Sequence, residues 1–277
     1  MTEKIALLKE VLSVPTKTYQ EHQMVEFLVN WLTENNIDHY VDDKMNVYAT
    51  KQENSELPED FYFPCVISHT DTVHNIDTIN IKEMMLPNAQ DVLKPSLKAY
   101  NNEGKPTGIG GDDKCGVFAC MEILEEMDVV KAAFFVSEET GCHGSRYADP
   151  MFFSNVGYAI QFDGPENWMI TETCFGAKLF ERESDFFNTC DKILSEGMND
   201  RKKYMVHPYT DVYALKRKFD FSCINISIGY YQYHTKNEYV VVEDVFNGID
   251  MGKKMIQELG NKKYRLDPQQ SSSFRYW

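Results

Sequence analysis

Apolar residues in this chain follow two rhythms. Met24, Phe27, Leu28, Trp31 and Leu32 recur every three to four positions, the period of a helix with one buried stripe. Thr18 and Glu21, just before them, have the spacing of a capping box and predict a helix start near Thr18. Val117, Cys120, Met121 and Leu124 mark a second helix. Phe187, Cys190, Ile193 and Leu194 mark another, ended by Gly197, and Val245, Ile249, Ile256 and Leu259 give a last one stopped by Gly260. Between these lie short continuous apolar runs, Phe61 to Ser68, Ala132 to Val136, Tyr158 to Phe162 and Ile224 to Ile228, of the kind that form central strands covered on both faces. Ile37 to Thr50 reads as extended. Strands separated by helix-length segments predict an α/β fold, a three-layer sandwich with a mixed, mostly parallel central sheet flanked by helices. The segment from Asn75 to Pro106 is polar, carries Pro87, Pro95 and Pro106 and has no clear period, so an irregular excursion is expected there. The tail after Pro268, QQSSSFRYW, reads as frayed. There are no internal repeats and no convincing linker.

Composition narrows the class. The chain has 277 residues, 43% of them hydrophobic, which is enough for a large core. Its 28 basic and 43 acidic residues give a net charge of −15, which repels phosphate backbones and anionic membrane surfaces, so neither nucleic acid nor membrane is an expected partner. The start, MTEKIALLKEVL, is amphipathic with mixed charge and is not a signal peptide, and no run approaches the roughly 20 apolar residues of a spanning helix. The seven cysteines are odd in number, lack CxxC pairing and sit mostly in apolar runs. They read as reduced, buried thiols of a cytoplasmic protein.

Candidate chemistry sits at the ends of the apolar runs. His69 closes the run in VISHTDTV, with Asp71 at the alternate position, on the same face of a strand. Asp112 stands in GIGGDDKCG, Glu138 and Glu139 in FFVSEETGCHG, Asp163 in AIQFDGPE and His234 in YYQYHTKNEY. Each has a structural alternative. A lone histidine after a strand is more often a hydrogen-bonded structural residue, Asp112 and Asp113 can cap a helix, Glu138 and Glu139 can be a solvated strand end, and Asp163 can be a turn residue. Their joint occurrence at strand ends, where parallel sheets gather ligands, points to a metal site. Imidazoles with carboxylates suit Zn²⁺, Co²⁺ or Mn²⁺. Adjacent glutamates at a strand end point different ways, so one can bind metal while the other serves as base, and Asp71 is placed to orient His69.

These phrases resemble the co-catalytic metallopeptidases of the M20, M28 and M42 families across almost the whole chain. HTDTV, GGDDKCG, SEETGCHG and FDGP are similar to the M20 branch that includes tripeptidase T, and YTDVYAL with INISIGYYQYHTKNEY to the M28 aminopeptidases. The resemblance implies a phosphorylase/hydrolase-like zinc exopeptidase fold and two divalent ions, zinc with cobalt or manganese as alternatives. It implies that Asp112 bridges them, that His69 and Asp163 complete one ion's ligands and Glu139 and His234 the other's, that Glu138 is the general base and that Asp71 orients. It also implies a cis peptide between Asp112 and Asp113. Typical M20 enzymes insert a lid of roughly a hundred residues between the fourth and fifth ligands, the size of an independent domain. The roughly 70 residues from Asp163 to His234 leave no room for one, so residues 1–267 are expected to form a single lid-less catalytic domain. An aminopeptidase acting on short peptides is the expected activity. Glu172 and Asp211 are candidates to hold a substrate amine, and Tyr230, Tyr231 and Tyr233 to line a pocket. A deacylase, dipeptidase or carboxypeptidase of the same clan, gripping a carboxylate or an N-acyl amino acid through His207 or Arg217, remains an alternative, as does a catalytically silent binding relative. Oligomeric state stays open.

Overall fold

The computed structural model describes residues 2–53, 57–58, 60–75, 79–198, 201–207 and 209–268. Of the expected frayed tail, 269–277 lies outside the described residues. Helices α1 (Thr2–Ser13) and α2 (His22–Glu34) lead into a hairpin, β1 (Asp38–Val41) and β2 (Val47–Gln52), and then β3 (Phe63–His69). β4 (Asn80–Pro87), β5 (Leu93–Tyr100) and β6 (Pro106–Thr107) precede α3 (Gly111–Glu126) and β7 (Val129–Phe135). Two short helices, α4 (His143–Arg146) and α5 (Pro150–Phe153), are followed by β8 (Val156–Gly164), β9 (Met169–Cys174) and β10 (Ala177–Lys178). The chain then forms α6 (Asp185–Gly197), β11 (Lys203–His207), α7 (Asp211–Lys216), β12 (Ser222–Ser227), β13 (Tyr230–Tyr231), β14 (Tyr239–Val241) and α8 (Val242–Leu259).

The larger sheet runs β1-β2-β7-β3-β8-β12-β9-β10, with β11 beside β9. Its middle strands β7, β3, β8 and β12 are parallel to one another, while β1, β2, β9 and β10 join antiparallel. Every residue of β3, β8 and β12 is buried, as their apolar runs require of strands covered on both faces. β8 shows how the two faces are served. Phe162 sits against Gly252 of α8, where a Cβ would meet its ring, whereas Gln161, its neighbour on the strand, accepts from Val212 N in α7 at 2.9 Å. Helix α3 packs on β3, β7 and β8 and carries α1 and α8. Helix α7 packs on β3, β8 and β12, and on α4. The result is the three-layer α/β sandwich predicted above. No helix of the described residues is long and apolar enough to cross a membrane.

Two expectations fail. The capping box at Thr18 does not form: α2 starts at His22, and Glu21 precedes it without a side-chain cap. Both side chains are taken by tertiary partners. Thr18 Oγ1 donates to Asp71 (2.8 Å), and buried Glu21 accepts from Ser137 N and Oγ (3.1 and 2.8 Å). The segment Asn75 to Pro106 is not irregular. Its β4 and β5 pair antiparallel from Asn80↔Tyr100 to Pro87↔Leu93, and β5 joins β14, β13 and β6 in a second, five-stranded sheet. The prolines stand where strands tolerate them: Pro87 ends β4, Pro106 starts β6, and Pro95 lies just beyond Ser96, where the pairing of β5 with β14 stops, so that it has a strand on one side.

Candidate metal centre

The candidate residues converge beyond the carboxyl ends of the parallel strands. His69 is the last residue of β3 and Asp163 the last but one of β8. Glu138 and Glu139 follow β7, Asp112 opens α3, and His234 lies in the turn between β13 and β14. His69 Nε2 is 3.2 Å from Asp112 Oδ1 and 3.5 Å from Asp163 Oδ1. His234 Nε2 is 3.2 Å from the other Asp112 oxygen and 2.9 Å from Glu139 Oε2. Asp112 therefore stands between two imidazoles, one oxygen towards each.

Local sequence explains this aim. Gly110 adopts φ 69°, and the Asp112–Asp113 peptide is cis. The two aspartates divide the work. Asp113 turns inward and accepts from Gly116 N and His69 N (3.1 Å each), the helix-capping role available to this pair, while Asp112 faces the site. Glu238, which the sequence reading missed, accepts from Gly110 N (2.8 Å) and Asp112 N (3.1 Å) and pairs with His74 (2.8 Å).

Asp71 ties three segments together. Its Oδ1 accepts from Glu138 N (2.9 Å) and lies 3.3 Å from His69 Nδ1, which also meets the Asp71 carbonyl at 3.0 Å. Its Oδ2 accepts from Thr18 and, at 3.4 Å, from Glu139 N. With Nδ1 donating to Asp71, His69 presents Nε2 to the centre. Asp163 is held by Asn225 Oδ1 on its amide (2.9 Å) and by Gln161 Nε2 on its carboxylate (3.0 Å). Gln161 was findable in the sequence, two residues before Asp163 and so on the same strand face. Glu21, Asn225 and Thr18 carried no such signal.

Electrostatics follow from burial and crowding. Burial pulls His69 down, but Asp112, Asp163 and Asp71 outweigh it and hold the imidazole well above its ordinary range. Hydrogen bonds to Asp112 and Glu139 push His234 up to about 10. Asp112 stays below the usual carboxylate range: burial acts the other way, and hydrogen bonds from His234 and His69 prevail. Burial, then the charges of Asp163, Asp211 and Glu139, lift Glu138 well above that range against the pull of His69. Burial lifts Glu139 to about 7.

This donor set fits divalent metal. Among the described residues, the neighbours of both Nε2 atoms are carboxylate oxygens, an arrangement that a neutral imidazole lone pair opposes and that positive charge between the groups resolves. His69, Asp112 and Glu139 can each offer an atom within 4.8 Å of the others. Asp113, which with His69 and Asp163 forms a second such group, is already engaged by two backbone amides.

A cavity of about 160 Å³ opens over the cluster, lined among others by Glu138, Tyr209, Tyr230, Tyr233 and His234. Tyr231 is not among its walls. Alternation along β13 turns it away, and its hydroxyl donates to Asp244 (2.6 Å) and accepts from Ala89 N (3.2 Å). Neither amine-binding candidate reaches the cavity. Glu172 forms a bidentate pair with Arg182 (2.6 and 2.7 Å) at a separate surface depression. Asp211 is wholly buried behind the site, where burial lifts it to about 7. Arg217 lines an adjoining cavity, and the side chain of His207 lies outside the described residues.

Comparison with solved structures places this architecture among those of aminopeptidases. The chain is similar to the aminopeptidase PepT of Bacillus cereus, at 13% identity over 92% of this chain and 98% of that one, with a TM-score of 0.71. A tripeptidase from Staphylococcus aureus aligns at 12% identity over 92% and 97% of the two chains (TM-score 0.69), and an aminopeptidase from the archaeon Desulfurococcus kamchatkensis at 12% over 94% and 96% (TM-score 0.66). At these identities the likeness is one of fold. No protein-family model and no curated protein matches the chain.

Proposed function

We propose that the protein is a metal-dependent exopeptidase of aminopeptidase type that hydrolyses short peptides. The observation that carries this reading is the placing of Asp112 between two imidazoles from separate elements, with the carboxylate of Glu138 alongside, 3.9 Å from His69. Two divalent ions would be held by these residues, one by His69 and Asp163, the other by Glu139 and His234, with Asp112 shared. Zinc is our assignment, with cobalt and manganese the alternatives the donors accept. Bound there, such ions supply Lewis acidity and lower the proton affinity of water.

The chain's own groups do the rest. Glu138, whose environment raises its basicity, takes a proton from the attacking water and returns it to the leaving amine. Asp71 fixes both the His69 tautomer and the backbone of Glu138, so ligand and base keep a set spacing. Tyr230 and Tyr233 offer aromatic walls to the substrate. The cavity is smaller than the roughly 300–1,000 Å³ of a drug-sized site, which suits the end of a peptide better than a chain running through. Among the described residues a large hydrophobic cluster reaches from α1 to α8, which supports a single catalytic unit over residues 1–267 without an inserted lid. Seven buried cysteines, none of them in a disulfide, support a cytoplasmic location.

Glu138→Gln tests the assignment. Peptide turnover should fall by about a thousandfold or more while metal content, read by atomic emission, stays near that of the parent. Substantial residual turnover would remove Glu138 as the base.

A further inference from the structure

Gln161 is out of keeping with its strand. The residues of β8 around it, Ala159, Ile160 and Phe162, are apolar, and Gln161 is fully buried between Ile67 of β3 and Asn225 of β12. A carboxamide in such a place costs free energy unless its polar atoms are bonded. Here they are bonded in one fixed sense. Oε1 accepts from Val212 N at 2.9 Å and from Thr210 Oγ1 at 2.6 Å, and Nε2 donates to Asp163 Oδ2 at 3.0 Å.

Two backbone amides set that sense. The Val212 N–H can only donate, so the end of Gln161 that meets it must be the oxygen, and the NH2 end is turned on Asp163. The Asp163 N–H can only donate as well, and Asn225 Oδ1 accepts from it at 2.9 Å. Asn225 Nδ2 is thereby turned to the Asp163 carbonyl and to Thr210 Oγ1, 3.2 Å from each. Thr210 accepts from Asn225, so its own proton goes to Gln161. Gln161, Thr210 and Asn225 are at most 1% exposed, which keeps water from competing for these bonds. The network ends on one carboxylate. Its Oδ2 carries the Gln161 donor, and its Oδ1 is the oxygen that stands 3.5 Å from His69 Nε2. An ion held by both oxygens of Asp163 would have to share Oδ2 with that donor. One-oxygen binding keeps the ligand number low, which suits four-coordinate zinc, whereas manganese favours six oxygens.

We propose that Gln161 is a positioning residue that sets metal preference: by holding Asp163 Oδ2 it commits Oδ1 alone to the ion shared with His69, and so favours zinc or cobalt over manganese. The inference rests on the metal-dependent reading above, and the test separates the two. The full chain and its variants are loaded with zinc and with manganese in competition with a chelator, and the affinity for the first equivalent of each metal is read. Gln161→Met removes the donor at nearly constant volume. Zinc affinity should fall by about 10- to 100-fold while manganese affinity holds or rises, so the preference for zinc narrows by about tenfold or more. The visible absorption of the cobalt-loaded variant should weaken, as it does when the coordination number rises. Gln161→Asn, one methylene shorter, cannot reach both Val212 N and Asp163, and should shift the preference the same way if Gln161→Met does not fold. Thr210→Val controls for loosening of the network. It leaves the donor on Asp163, so it should lower Tm but keep the metal preference within about twofold. An unchanged preference in a folded Gln161 variant, or an equal change in Thr210→Val, overturns the role of Gln161 and leaves the hydrolase standing. A parent protein that binds zinc but cleaves no peptide removes the hydrolase and leaves the role of Gln161 to the same comparison of affinities. A parent that binds neither metal overturns both.

Discussion

The two halves of the candidate metal centre are built differently. His69 is 1% exposed, ends a strand buried along its whole length and is braced by Asp71. His234 has a side chain 44% exposed and sits in a turn at φ 59°, a backbone region that non-glycine residues seldom adopt. The first half is set by the sheet and the second by a loop. A shared Asp112 joins them, so the same carboxylate meets one rigid partner and one that can move. This predicts unequal metal sites: a tight one at His69 and Asp163, and a more readily exchanged one at Glu139 and His234.

The sharpest way to break this contrast is to remove each imidazole. His69→Ala leaves buried carboxylates without their partner and should cost on the order of 3 kcal/mol of stability or more, with metal largely lost. His234→Ala should cost under about 1 kcal/mol and keep close to one ion per chain. Equal losses of metal and of Tm in the two variants would show that the halves are equivalent. Asp71→Asn comes next. It keeps the size of the brace but weakens its hold on His69 and on the Glu138 amide, so zinc affinity at the tight site should fall by about 10- to 100-fold in competition with a chelator.

Protons sharpen the comparison in metal-free protein. His234 is raised to about 10 and His69 is raised too, so each contributes stability that is complete below the unfolded value near 6.5 and lost as pH rises through the folded value. Glu139, raised to about 7, becomes a burden as pH rises from about 4.5 to about 7, mostly below that window. Chelated protein should therefore melt at lower temperature at pH 9 than at pH 6, and a flat profile would contradict the charge crowding described. The smallest effect belongs to Thr18→Val. This removes one hydrogen bond to Asp71, worth about 1 kcal/mol, and should lower turnover by less than about tenfold.

Much of this site was legible because its residues end strands that are buried on both faces. An uninterrupted apolar run such as that of β3 announces itself, and His69, which closes it, must lie at the carboxyl end of the strand. The second sheet gave no such signal. β4 alternates only weakly, since all of its residues are exposed or half-buried, and its hairpin reads as a polar stretch with prolines. Thr18 and Glu21 misled for a different reason: local spacing permits a capping box, but partners more than 50 residues away in sequence, Asp71 and Ser137, claimed both side chains. Glu238 escaped because it acts on backbone amides, and no residue type at Gly110 or Asp112 signals that need.

Asp71 bears on how such a protein can diversify. One carboxylate sets the tautomer of a ligand and holds the amide of the proposed base, so a substitution that shifts either shifts both, and few variants can be tried there without losing the whole apparatus. The turn that carries His234, and the carboxyl ends of α4 and α7, are under no such joint constraint. Inherited variation in what the protein acts upon is expected to accumulate in those segments, around a brace that stays fixed.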